Sequence, residues 1–335
     1  MAFARSGWLR DVGPCLRGIL GMVFCVMSLA AKVGQGQEST PSSPNVEGSA
    51  ALAVARQFIR QGEWARAEGQ LRNALQANNK TAEVRYLLGY VLLRENRALD
   101  SLAAYTVAAA SREPTSEDLN AIASDYVLLK AYTDAEHWLL MAVRQSPENR
   151  QSWYLLGRTQ YNLDHAADAA ASFQRCLALS PGDPRAEYNL GLADEKLQKP
   201  DEARAAYQQA IRWQTEQGIQ DAQPYLDLGM LSLSQGRAQD ALPLLTEATR
   251  LSPGNPLIFQ ELGLSLDALG RSAEAVESLR KATELAPDAE RPHFFLGRIY
   301  RRNGQKEKSD EQFAIVQRLL GTHSDTATPN VDRKR

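Results

Sequence analysis

The chain has 335 residues, 44% of them hydrophobic and 23% charged, with a formal charge of −2 and a sequence pI near 6.2. Lys and Arg are interspersed with Asp and Glu along most of it, so the dense basic footprint that phosphate binding needs is missing and no nucleic-acid partner is expected. Few aromatics and much Ala, Leu and Gln, which lose little entropy on entering a helix, predict a soluble and mainly helical protein.

The first thirty or so residues differ from the rest. Arg5, Arg10 and Arg17 precede an apolar stretch from Gly18 to Ala31 that closes on the small residues Ser28, Ala30 and Ala31, the order of a secretory signal. The stretch falls short of the about 20 apolar residues that span a bilayer. Residues 1–31 are therefore expected to be cleaved after Ala30 or Ala31, placing the protein in an exported, periplasmic or extracellular location; the alternative is an inner-membrane protein anchored by this segment. Cys25 follows the bulky Phe24 and Cys15 precedes the apolar run, so neither forms a lipid-attachment site. Removing residues 1–31 takes away three Arg and one Asp and moves the formal charge from −2 to −4. Of the three cysteines only Cys176 remains, too few for an internal disulfide. Residues 32–47, rich in Gly, Gln, Ser and Pro without apolar periodicity, read as a flexible linker.

From about Gly48 the chain repeats itself. Small residues recur at Ala55, Gly89, Ala123, Gly157, Gly191, Gly229, Gly263 and Gly297, separated by 34, 34, 34, 34, 38, 34 and 34 residues. Twelve positions after each marker stands Ala67, Ser101, Ala135, Ala169, Ala203, Ala241, Ala275 or Ser309. Four further on is a large residue: Leu71, Tyr105, Leu139, Phe173, Tyr207, Leu245, Leu279 or Phe313. Pro147, Pro181, Pro253 and Pro287 close four of the units, and Gly62, Gly236, Gly270 and Gly304 fall between the halves of others. Two antiparallel helices in close contact require this grid: paired small residues let the backbones approach and the large residue fills the space beside them. Pro then stops the second helix, and Gly takes the positive φ of the turn. A single hairpin of this kind cannot bury its apolar face, so neighbours must stack.

The stretch Trp153, Leu156, Gly157, Tyr161, Ala169, Phe173 and Pro181 resembles the tetratricopeptide repeat pattern. The resemblance covers residues 48–321 as eight units, 48–81, 82–115, 116–149, 150–183, 184–221, 222–255, 256–289 and 290–323, and 322–335 read as a disordered polar tail. It implies an all-α fold, a right-handed superhelical solenoid of about eight helix-turn-helix repeats. Four extra residues around Gln217 to Asp221 are expected to lengthen the second helix of the fifth unit or the loop after it.

In that family the first helices line a concave groove. Carried over position by position, the resemblance implies that Tyr86, Tyr90, Asn120, Ser124, Tyr154, Arg158, Tyr161, Asn162, Tyr188, Asn189 and Lys196 face it. Aromatic rings among Arg and Asn suit an extended peptide, although several of these tyrosines are equally suited to packing between helices. Asn189 matches one position of the family's carboxylate clamp, but Tyr188 stands where Lys is required, so the clamp is not expected. On the last first-helix Arg291, Arg298, Arg301 and Arg302 gather with Phe294, a surface for an acidic segment or simply a solvated face.

His137, His165, His293 and His323 occupy different repeat positions, so no metal site is expected. No Gly-rich phosphate loop or nucleophile elbow appears. The sequence thus predicts a non-enzymatic protein or peptide binder without a small-molecule cofactor. The alternative is a structural scaffold or assembly factor of a cell-envelope complex. It would self-associate through its C-terminal end, where Phe313, Ile315, Val316, Leu319 and Leu320 form an apolar helix face.

Overall fold

The computed structural model describes residues 46–77 and 81–326, with side chains from 48 to 321. The expected signal or anchor, nearly all of the linker and residues 327–335 of the tail lie outside the described residues. Among the described residues there are sixteen α-helices and no strand, in two compact units divided between Leu163 and Asp164. The first unit holds α1 (Val46–Gln61), α2 (Trp64–Gln76), α3 (Ala82–Arg94), α4 (Ala98–Ala109), α5 (Ser116–Leu128), α6 (Tyr132–Gln145) and α7 (Arg150–Asn162). The second holds α8 (Ala166–Leu179), α9 (Pro184–Lys196), α10 (Pro200–Glu216), α11 (Gln223–Ser234), α12 (Ala238–Leu251), α13 (Pro256–Ala268), α14 (Ser272–Leu285), α15 (Glu290–Arg302) and α16 (Lys306–Thr326). Within each unit consecutive helices pack in pairs, and each second helix also touches the first helix of the next pair. No described helix is long and apolar enough to cross a membrane.

The seam of each pair is built from the sequence grid. A Cβ added at Gly89 would lie 2.8 Å from the Tyr105 ring, at Gly191 2.6 Å from Tyr207, at Gly229 2.8 Å from Leu245, at Gly263 2.7 Å from Leu279 and at Gly297 2.9 Å from Phe313. Each of these five glycines therefore touches the large residue sixteen positions later, at a separation that a methyl group would occupy. The small residue twelve positions on also brings its backbone near: the carbonyls of Ala203 and Ala275 lie 3.3 and 3.2 Å from the added carbons of Gly191 and Gly263. Where that residue is Ser it adds a bond, since Ser101 Oγ and Ser309 Oγ donate to the carbonyls of Gly89 (2.8 Å) and Gly297 (2.9 Å).

Helix ends follow local chemistry. The side chain of Asn149 accepts from the backbone N–H groups of Gln151 and Ser152, that of Asp183 from Arg185 and Ala186, and that of Asn255 from Leu257; each satisfies donors that the first turn leaves free. Thr115 and Asp118 form a reciprocal capping box on α5. Before Pro147, Pro181, Pro253 and Pro287 the backbone turns extended, with φ between −137° and −142° at Ser146, Ser180, Ser252 and Ala286, because a following Pro ring disfavours the helical conformation. Gly62, Gly236, Gly270 and Gly304 occupy the hairpin turns with φ of +71 to +75°. Asn96, Lys130, Asp164 and Gln198 take the same turn at φ of 58 to 66° without glycine.

The fifth repeat divides its extra length between helix and loop. Helix α10 has 17 residues against 14 in α8, α12 and α14. Buried Gln214 then donates through Nε2 to the carbonyl of Asp221 (3.0 Å), tying down the loop. At the C-terminal end α16 continues to Thr326, past the boundary expected at 322. Leu319 is buried while Leu320 is exposed, so the expected apolar face of α16 is open at only part of its length.

Candidate functional site

Helices α3, α5 and α7 of the first unit bound a groove of about 740 Å³. The last turns of α3 contribute Tyr90, Leu93 and Arg94, α5 contributes Asn120, Ser124 and Val127, and α7 contributes Leu155, Arg158 and Asn162. The walls owe their position to the caps. Thr115 and Asp118 fix the start of α5, and Asn149 caps α7 while its Nδ2 donates to Ser116 Oγ (3.2 Å), joining the two helix starts.

Asn120 lies on α5 and is 7% exposed, yet its Oδ1 has no hydrogen-bond partner among the described residues. Ser124 Oγ donates instead to the Asn120 backbone carbonyl (2.8 Å), leaving the side-chain amide free. A buried polar atom without a partner costs about 1–3 kcal/mol and calls for an explanation. Two guanidinium groups flank it. Arg94 lies 4.9 Å from the Trp64 ring centroid and Arg158 lies 5.9 Å from that of Tyr154. Neither meets a carboxylate among the described residues, and Glu117 is the acidic residue of the groove lining. The groove thus combines apolar floor, spare amide and a surplus of positive charge.

Tyr90, Asn120, Ser124, Arg158 and Asn162 come together in this groove. Tyr154 stands beside it under Arg158. Tyr161 is half-buried and outside the lining. Tyr86 is placed differently: its ring is buried 5.8 Å from that of Tyr105, its hydroxyl donates to the Arg112 carbonyl (2.7 Å), and Arg112 covers its face at 4.0 Å. That residue belongs to the core, because the loop after α4 closes over it.

In the second unit the Tyr188 hydroxyl donates to Asp227 (2.6 Å), Asn189 Nδ2 donates to the Arg185 carbonyl (2.7 Å), and Lys196 pairs with Asp164 (2.8 Å). Burial pushes the Asp227 carboxyl above its ordinary range, against the opposing hydrogen bonds from Tyr188 and Gln223. These three side chains of α9 are already engaged within the second unit.

Arg94 is a groove residue that the sequence reading missed. It stands five positions after the marker Gly89, the spacing that singled out Asn162 after Gly157 and Lys196 after Gly191, so its signal was present. Asn149, which caps α7 and also lines the groove, was missed as well. Cys176 is buried, and His293 is held by Gln312 (2.8 Å) and the Pro287 carbonyl (3.1 Å). Among the described residues no three His, Cys, Asp or Glu side chains converge as metal ligands would.

Comparison with known proteins gives a consistent picture. Tetratricopeptide repeat profiles match residues 52–114, 121–184, 183–254 and 232–299. A tetratricopeptide repeat protein from Parabacteroides merdae superposes with a TM-score of 0.55 at 18% identity, covering 75% of this chain and 97% of its own. Pseudomonas aeruginosa PilF superposes with a TM-score of 0.55 at 22% identity, covering 63% and 95%; PilW, a type IV pilus biogenesis factor, does so at 0.53 and 20%, covering 61% and 98%. These likenesses establish the fold. The peroxisomal targeting signal receptor of Saccharomyces cerevisiae is 23% identical over 193 residues, 46% of this chain and 32% of the receptor, so the match spans about a third of that relative.

Proposed function

Because the chain belongs to the tetratricopeptide repeat family, we propose that it is a non-catalytic interaction module that holds an extended segment of a partner polypeptide in the groove of its first unit. The observation that carries this reading is the unpartnered amide oxygen of Asn120 in the groove. A peptide N–H is the donor it lacks, and the neighbouring Arg94 and Arg158 suit carboxylates on the same segment. Leu93, Val127 and Leu155 supply apolar contact area for its side chains. The relative named for its recognition of a targeting signal supports a polypeptide as the occupant. We also take residues 1–31 to direct export, so that the partner is an envelope or extracellular polypeptide.

Selection from a phage-displayed library of linear peptides, followed by calorimetric titration of the winners, tests the groove. Selected peptides are expected to bind the parent and to lose about tenfold or more in affinity to Arg158→Ala, the scale of a lost charge-assisted hydrogen bond. Selection of no peptide, or equal affinity for the variant, would overturn the reading.

The exposure of Leu320 at the C-terminal end favours a second reading, self-association of a scaffold through that end. Leu320→Lys is the informative probe, since Leu319 is already buried. A monomer at every concentration in light scattering would remove this alternative.

A further inference from the structure

The last hairpin contains a second concavity, of about 780 Å³, between α15 and α16. Phe294, Arg298 and Arg301 line one side, and Phe313, Val316 and Gln317 the other. One repeat earlier, 34 residues upstream, the positions of Phe294, Phe313 and Val316 are taken by Gln260, Leu279 and Ala282, all buried. There α15 packs against both α13 and α14, and its Leu296, Ile299 and Phe295 join the cluster around Leu279. In the last hairpin Phe294 is 43% exposed and Phe313 and Val316 are only half-buried. The concavity therefore has the form of a seat for one more helix, and no helix among the described residues fills it.

The charge of this seat selects its occupant. Arg298 lies 5.9 Å from the ring centroids of both Phe294 and Phe295, so the rings help to hold the guanidinium in place. Arg298 and Arg301 are exposed and meet no carboxylate among the described residues, whereas Arg302 is engaged by Asp267. The chain's own undescribed ends do not match. Residues 327–335 carry Asp332 against Arg333, Lys334 and Arg335, and residues 1–45 carry Asp11 and Glu38 against Arg5, Arg10, Arg17 and Lys32. A second copy presenting the same seat would set arginine against arginine.

We propose that the last hairpin binds an acidic amphipathic helix of a partner protein, with apolar side chains against Phe294, Phe313 and Val316 and carboxylates against Arg298 and Arg301. This site is separate from the groove of the first unit and does not depend on the reading given for it.

The probe is a fluorescein-labelled peptide of about 18 residues, five helical turns, with Leu along one face and Glu along the other. Its counterpart carries Lys in place of Glu. The full chain is expected to bind the Glu peptide with an affinity that falls as salt rises and to ignore the Lys peptide. Arg298→Glu with Arg301→Glu is expected to weaken binding at least about tenfold and Phe294→Ala to weaken it measurably, while Arg158→Ala leaves it unchanged. These side chains are exposed, and circular dichroism verifies that the variants keep parental helicity. Absence of binding, equal binding of both peptides, indifference to the double charge reversal, or preference for vesicles containing anionic phospholipid over the Glu peptide would each overturn the proposal.

Discussion

Replacing Gly263 with Ala tests the steric seam directly. The added Cβ would lie 2.7 Å from Leu279 Cγ, 3.1 Å from its Cδ2 and 3.2 Å from the Ala275 carbonyl oxygen. Leu279 is fully buried and the third atom is backbone, so relief requires α13 and α14 to move apart. Overpacking of this kind costs about 1–3 kcal/mol, while Ala in a helix interior is favoured over Gly by about 1 kcal/mol. Gly69 is the control. It sits in the middle of α2, exposed, with nothing within 4 Å of an added Cβ, so Gly69→Ala collects the helix gain alone. In the difference between the two variants the helix contribution cancels and about 2 kcal/mol of steric cost remains. Urea unfolding followed by circular dichroism measures both against the parent. Gly69→Ala is expected to be more stable than the parent and Gly263→Ala less stable; a Gly263→Ala variant as stable as Gly69→Ala would refute the packing described for the seam.

Asp125 should make stability depend on pH. Ser101 Oγ lies 2.8 Å from the Gly89 carbonyl and 2.6 Å from Asp125 Oδ2. Burial pushes the Asp125 carboxyl from 3.8 up to about 7, against the hydrogen bond that Ser101 offers it. Between those values the native state holds a proton that the unfolded chain has released, so stability falls as pH rises, by up to about 4 kcal/mol across the interval. Asp125→Asn is expected to flatten urea midpoints between pH 4 and pH 8 and to exceed the parent at pH 8; an unchanged slope would contradict this assignment. Gln198→Gly should stabilise by about 1 kcal/mol, since Gln198 holds φ of 58°; a lower thermal midpoint would contradict it. Asn120→Leu removes an unpartnered buried amide and should raise stability by about 1 kcal/mol while lowering affinity for library-selected peptides; stability and binding both lost would mean that the amide serves the fold alone.

The fold was legible in the sequence because its constraint is steric and repeats. At Gly89, Gly191, Gly229, Gly263 and Gly297 a large side chain sixteen residues later occupies the space of the missing methyl, a relation visible as spacing. Turns at Asn96, Lys130, Asp164 and Gln198 carried no such mark, because the register of the repeat imposes positive φ even where glycine is absent. The groove was only partly legible. Tyr86 and Tyr90 sit one turn apart on the same helix, but the fate of Tyr86 was decided by the Arg112 carbonyl, 26 residues away. Tyr188 was claimed by Asp227, 39 residues away. Asp125, buried beside Ser101, left no trace, since a carboxylate within a helical pattern reads as a surface residue until its neighbours are placed.

Titration of the isotopically labelled chain with a library-selected peptide, followed through the side-chain amide resonances of Asn120, addresses the proposed groove most directly. If a peptide N–H completes the buried Oδ1, those resonances shift with the same saturation curve as the calorimetric signal and gain protection from exchange. Peptide binding that leaves Asn120 unmoved while perturbing residues elsewhere would place recognition outside the groove and contradict the account.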